Sequence, residues 1–424
     1  MKRNYFIVGL IFFIFFVISI LTNILAPLIP DFINGFNLSL TLAAFMPFAF
    51  FVAYGVMSIP SGMLVERYQE KWVLLVAFML AFCGSILFAS FPYYLVGLCS
   101  LFLIGTGMAM LQVAINPLLR TAGGEENFAF FSVMAQLVFG GAAFLAPQIY
   151  AYLVINIGSV TAESDFVIRT LAPLVPETLP WISLYWLFTF LTLVMIIILK
   201  MIKLPKVELT EDERAGARES YKLLFKNRYV SLYFIGIFAY VGSEQGVANW
   251  ISKFLKTYHN YDPHTIGADT VSYFWGLLAL GCLLGLVVLK IWDSRNILIG
   301  FSSAAIISLT LALFSSGEVA LFAFPAVGFF FSVMWSVIFS LALNSVEKHH
   351  GSFSGILCTA IVGGAVIPLV IGSLGDLFGL RTGMTFLYLT LGYVLSIGFW
   401  ANPLITNATI GSKKEKKMEK MTVD

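Results

Sequence analysis

Charge is scarce in this chain: Asp, Glu, Lys and Arg make up 11% of its 424 residues, against about 25% in soluble proteins. That composition excludes a soluble globular domain. The 25 basic residues outnumber the 23 acidic ones by only two and are dispersed, so no basic stripe is available for nucleic acid. Cysteine is equally sparse. Cys83, Cys99, Cys282 and Cys358 stand singly inside apolar runs without CxxC spacing, which indicates neither a disulfide framework nor a metal site and leaves them as small hydrophobes. There is no GxxxxGK[ST] loop for ATP, no filter-like TVGYG string and no large soluble insertion. The apolar runs also lack a nucleophile–base pair or a His/Cys/Asp cluster, so an enzyme is not expected and no cofactor is implied.

What the chain does have is apolar length: 59% of it is hydrophobic and 16% aromatic. Apolar runs occupy 5–28, 40–60, 73–90, 93–117, 128–154, 181–200, 230–252, 271–291, 296–315, 319–343, 353–374 and 384–408. A helix needs about 20 such residues to cross a bilayer, and the alternating ten-residue segments of a strand-built barrel are missing. The sequence therefore predicts an all-α integral membrane protein of twelve transmembrane helices. Lys2 and Arg3 precede the first run, but no small-residue cleavage site follows, so it counts as a span and not a signal peptide. With the N-terminus inside, 21 of the 25 basic residues fall on the inner side and only Arg169, Lys253, Lys256 and Arg381 on the other. That asymmetry predicts both termini in the cytoplasm and a cell (inner) membrane location.

One long polar interval divides the spans six and six. The predicted organisation is a six-helix bundle over 1–200, a cytoplasmic linker over 201–229, a second bundle over 230–410 and a disordered tail over 411–424. Within the linker, Thr210 to Glu213 reads as a capping box, and RAGARESYKLLFKNR as a short amphipathic helix at the membrane surface. The polar interval at 155–180 reads as an ordinary outer loop. Two six-span halves describe a secondary transporter whose halves rock about a site near the midplane. Pro60, Pro117, Pro147, Pro325 and Pro368 interrupt spans or their ends, and small residues cluster at Gly105-Thr-Gly107, Gly140-Gly-Ala-Ala143 and Gly363-Gly-Ala365, patches that allow close helix approach.

After the second run stand Gly62, Glu66, Arg67 and Lys71 in GMLVERYQEK. This string resembles the loop signature G-x-x-x-D-R-x-G-R-R/K of the major facilitator superfamily, with Glu66 for the acid and Gln69 for the second glycine. The resemblance implies a cytoplasmic latch used in the outward-facing state. The second-half counterpart, Gly285 to Asp293-Ser-Arg295, is weaker. Further strings resemble the branch of fucose:proton symporters and glucose/galactose permeases: LQVAINP in span four, Gln136 in span five, FAYVGSEQGVANW in span seven, and FSVMWSVIFSL and IVGGAVIP in spans ten and eleven. Trp335-Ser336 stands where that branch has proline and threonine. The resemblance covers nearly the whole chain and implies the major facilitator fold and import of a monosaccharide (hexose, deoxyhexose or amino sugar) with H+ or Na+. A multidrug or other small-solute exporter, or a sugar uniporter, is the alternative. The other partners expected are lipid alone, with the protein a monomer.

The departures bear on mechanism. In the fucose symporters the carboxylates implied in sugar and proton handling lie in an N-D-I-L string of span one and an L-E-T-A string of span four; here the matching residues are Asn23 and Gln112. An amide keeps donors and an acceptor for sugar hydroxyls but cannot release a proton. Glu244 is then the one clear acid inside a span, where charge costs about 2.5–3.5 kcal/mol, and is the expected coupling residue as proton carrier or sodium ligand; pairing with Lys253 or with amides such as Gln112 is the structural alternative. Asp31, Asp269 and Asp376 fall near span ends, and His259, His264, His349 and His350 in loops, so no relay is expected through them. Helical spacing groups Gln112 with Asn116, and Gln245 with Asn249 and Lys253. Asn23, Gln112, Asn116, Gln136, Gln245 and Asn249 are candidate sugar ligands, with Trp250, Trp275 and Trp335 as candidate stacking rings.

Overall fold

The computed structural model describes residues 4–404 apart from 124–127, 160, 162–163, 205–222, 225 and 347–349. All regular structure among the described residues is helical. Twelve spans run Tyr5–Phe36, Leu40–Val65, Arg67–Ser90, Tyr94–Gly123, Phe128–Ile157, Ser183–Met201, Arg228–His259, Ala268–Ile291, Ser294–Phe314, Gly317–Leu343, Phe353–Phe378 and Leu380–Trp400. Eleven of the helices are apolar and long enough to cross a membrane by composition alone. Span seven is the exception. Its 32 residues cover about 48 Å at 1.5 Å per residue, but Glu244, Gln245, Asn249, Lys253 and Lys256 interrupt its apolar character.

The spans outrun the apolar runs because their ends are capped by polar side chains. Asn4 accepts from the Ile7 N–H at 3.2 Å, Ser39 from Leu42 at 3.2 Å and Asn227 from Tyr229 at 2.9 Å, each supplying one of the acceptors that a first turn lacks. Asn37 and Asn260 close spans one and seven in the left-handed region, at φ 52° and 56°. The interval expected as an ordinary loop is folded: Asp165 caps a helix at Phe166–Leu171 through the Ile168 N–H and accepts from the Tyr152 hydroxyl. Beyond it Trp181 is buried, its ring edge-on to Phe32 and Phe36 at 5.2 and 5.6 Å. The expected capping box, the tail and all of the expected linker helix but Leu223, Leu224 and 226–228 lie outside the described residues.

Spans one to six pack among themselves, as do seven to twelve. The chain ends share one end of the bundle: Asn4 N–H donates to Ala122 O at 3.1 Å, Lys71 Nζ to Ile202 O at 2.7 Å and Leu404 N–H to Asn344 O at 2.7 Å. We call this the terminal end. At the opposite, distal end the two halves are joined. Asp376 of span eleven accepts from the Leu40 and Thr41 N–H groups, both at 2.8 Å, and from the Thr41 hydroxyl at 2.6 Å. Asp269 of span eight accepts from Gln148 Nε2 at 2.7 Å. Asp31 of span one accepts from the Tyr150 hydroxyl at 2.6 Å and meets His264 Nε2 at 3.0 Å.

Between spans five and eight the approach is close. A Cβ on Gly140 would lie 2.4 Å from the Ala279 methyl, and one on Gly276 would lie 2.8 Å from the Phe144 ring. Toward the terminal end this stripe reaches Gln136 on span five and Leu283 on span eight. Both are exposed. The close packing of this seam thus runs from the distal end as far as Gly140 and Ala279.

Candidate functional site

Span seven carries the acid. The Tyr240 hydroxyl donates to Glu244 Oε2 at 2.5 Å, as one turn of helix sets residues four apart on one face. Gln245 Nε2 approaches Oε1 at 3.4 Å. The same hydroxyl lies 3.2 Å from the Phe331 carbonyl, where span ten breaks between helices Gly317–Phe331 and Met334–Leu343. The Cys282 thiol donates to Ser332 O at 3.3 Å, so carbonyls freed by the break are held by side chains of spans seven and eight. The break occurs although Trp335 stands where the resemblance puts a proline. Trp335 is half-buried, 6.3 Å from the Tyr240 ring and stacked on Phe339 at 5.7 Å. Among the described residues no cation pairs with Glu244, so the alternative of an ion pair with Lys253 is not formed.

Span one breaks at Ile24. Pro27 has no N–H for the Asn23 carbonyl four residues back, which removes one rung of the helix there. Asn23 is buried, and its Nδ2 donates to Ser19 O and Ser19 Oγ, each at 3.1 Å. Ser19 Oγ in turn donates to Phe139 O at 2.6 Å. The amide donor is thus committed within the first half.

Buried polar atoms seldom lack a partner. Here both side-chain atoms of Asn249, which is 1% exposed, have none, nor does the Trp275 indole N–H. Gln245 is buried beside Gly364 of span eleven, which also faces Phe51 of span two, so it sits where the halves meet. Trp250 is fully enclosed and donates to Pro368 O at 3.3 Å: it is part of the packed wall. Gln112 is half-buried in span four. Asn116 belongs to the same helix, with its side chain outside the description. Gln136 is exposed, one turn beyond the seam. The structure thus gathers Glu244, Gln245, Tyr240 and Trp335 around one junction and leaves Gln136 apart.

The interval expected as a loop is helical but for a kink at Gln69: Gly62, in the last turn of span two, has nothing within 4 Å of an added Cβ, and Arg67, opening span three, lies over the Tyr68 ring at 5.3 Å. Lys71 binds the carbonyl end of span six. The Glu66 side chain lies outside the description. Gln69 adopts φ 68°, ψ 157°, a region open almost only to glycine, at the position where the loop signature has glycine. The second-half counterpart, expected to be weaker, forms its pair: Asp293 accepts from Arg295 N–H at 2.8 Å and Nε at 3.3 Å.

Sequence reasoning missed the three span-end acids. Asp31, Asp269 and Asp376 each bridge to the opposite half, and His264, set aside as a loop residue, is one of the bridging partners. The available signal was their shared end: all three fall in distal turns of spans one, eight and eleven.

Several known proteins are similar. A glucose/galactose transporter of Brucella abortus is 33% identical over 401 residues, covering 92% of both chains. The crystal structure of the Escherichia coli fucose:proton symporter superposes with a TM-score of 0.67 at 21% identity, over 94% of this chain and 100% of that one. A bacterial homologue of the human lysosomal transporter Spinster, in an inward-facing, unoccupied conformation, gives 0.76 at 14% identity, over 94% and 96%. With the sequence profile of that family matched over residues 11–367, the chain belongs to the Major Facilitator Superfamily of transporters.

Proposed function

We propose that this protein imports a neutral monosaccharide of the hexose class by alternating access across a cell (inner) membrane, with both termini cytoplasmic. The carrying observation is Asn249: a fully enclosed amide with neither atom bonded, one helical turn from Gln245, suits a ligand that offers hydroxyls as both donor and acceptor. The Trp275 N–H extends the same hydrogen-bonding character, and Trp335 offers a half-buried ring for a sugar face. Resemblance to the glucose/galactose transporter supports the substrate class. In this reading two halves, 1–200 and 230–410, move about the site as a monomer, and the captured state opens to the cytoplasm.

Coupling in this reading runs through Glu244. The Tyr240 phenol has one proton and two acceptors, the Glu244 carboxylate and the Phe331 carbonyl at the break in span ten. While Glu244 is ionised, the phenol proton serves the carboxylate. Once Glu244 is protonated, it donates to the phenol oxygen, and the phenol donates to Phe331. The charge on Glu244 thereby alters the bonding at the hinge of span ten, giving a coupling ion differential affinity for the two states. The fucose:proton symporter favours the proton as that ion.

Purified protein should gain thermal stability from a hexose and not from amphipathic drugs, and proteoliposomes should accumulate that hexose under an imposed proton gradient. Accumulation under sodium alone reassigns the ion. No accumulation under either gradient makes the protein a uniporter, and stabilisation by drugs alone overturns the sugar reading.

A further inference from the structure

The three distal carboxylates differ in what they hold. Asp376 accepts from backbone N–H groups and a threonine hydroxyl, and Asp269 from the Gln148 amide, whose Nε2 also reaches Ser272 Oγ at 3.2 Å; none of those partners titrates near neutrality. Asp31 is different. Its Oδ2 is fixed by Tyr150 within the first half, and its Oδ1 meets His264 Nε2 of the second half at 3.0 Å. Asp31 is 8% exposed, while the His264 side chain is one-third exposed and open to exchange with the distal compartment. The groups facing the imidazole are Asp31 from span one, Tyr150 from span five, with ring centroids 5.9 Å apart, and Asp262 from its own turn at 3.9 Å.

We infer that Asp31 and His264 form a proton-sensitive seal of the distal face, closed more firmly by acid in that compartment, while Asp269 and Asp376 supply a seal indifferent to pH. The pair exists only while the halves touch. A neutral imidazole can donate one hydrogen bond to Asp31, and a protonated one adds Coulomb attraction, so the closed state binds the proton better than the open state. By linkage, the closed share rises as pH falls through the imidazole range and this contribution is lost as pH rises. A partly exposed pair changes the closed-to-open ratio by about fivefold. This inference does not depend on the sugar or on Glu244.

The test uses the full chain in liposomes, its four cysteines replaced by alanine, with spin labels at exposed distal positions of the two halves, Tyr93→Cys and Ser316→Cys. Distances are measured at about pH 5.5 and about pH 8, bracketing histidine titration. The parent should show a larger short-distance population in acid. His264→Gln should lose that difference, and His264→Lys, charged at both pH values, should stay closed at both. Asp376→Asn should open the distal face at either pH and keep the difference. Glu244→Gln should keep it too. A parent without a pH response, or His264→Gln with a full one, overturns the inference. A response lost in Glu244→Gln but kept in His264→Gln would assign it to the coupling acid and leave that reading standing.

Discussion

Tyr240 and Glu244 are joined by a 2.5 Å hydrogen bond, and the same phenol lies 3.2 Å from the carbonyl that span ten frees at its break. A hydrogen bond to a charged group contributes about 1.5–3 kcal/mol, enough to bias a hinge. Glu244→Gln should retain counterflow exchange of labelled hexose and lose uphill accumulation. Tyr240→Phe should bind sugar within about threefold of the parent while accumulation falls by about tenfold, the energy of one such bond. Persistent accumulation in Glu244→Gln would show that another residue couples.

Under the proposed function, substitution of Asn249 should separate binding from stability. Its amide has no partner to lose, so an apolar replacement removes a desolvated polar group at no hydrogen-bond cost. Asn249→Leu should leave the melting temperature of the sugar-free protein unchanged or higher. Hexose affinity should fall by about 1–3 kcal/mol. Calorimetric unfolding and equilibrium binding check the two halves of this expectation, and a sharp loss of stability would make Asn249 a structural residue.

Gln69 occupies a glycine-like backbone region, which costs about 1–3 kcal/mol for another residue. Gln69→Gly relieves that cost, offset in part by the greater freedom glycine has when unfolded. The net expectation is a stabilisation of about 1 kcal/mol, read as a raised melting temperature in detergent. Gln69→Val, branched at Cβ, should destabilise.

Arg67 is exposed at the terminal end, remote from the junction of spans seven and ten. Arg67→Ala should therefore slow transport by about tenfold through the conformational step while hexose affinity stays within about twofold. Equal losses in rate and affinity would count against a latch.

How much of this could be read from residues alone depends on what made each signal. Span number followed from apolar length, and Glu244 stood out because a carboxylate amid Phe, Ile and Val has no local reason to be there. Asn23, Gln245 and Asn249 stood out likewise, and all three are buried. Partners were illegible. Nothing in the chain order joins Asp31 to His264, 233 residues apart, or Asp376 to Leu40, 336 apart, since such pairs are made by two bundles meeting. Trp250 misleads for a related reason: a ring beside polar residues on span seven reads as a platform, but helix rotation turns it toward Pro368. Pro325, expected to interrupt span ten, sits inside the helix Gly317–Phe331, and the break falls beyond it at 332–333, where it depends on acceptors satisfied from spans seven and eight.

At Gly140 the backbone of span five comes so near the Ala279 methyl of span eight that no side chain fits between the helices there, while Phe144 against Gly276 and Gln148 on Asp269 interlock the same two spans nearer the distal end. Around Gly140 the helices can part without a rotamer change, so resistance to opening is concentrated in the distal contacts. The pace of rocking is then governed by a few polar clasps at the rim, and one added methyl group at residue 140 would act as a wedge, biasing the whole molecule toward its distally open form.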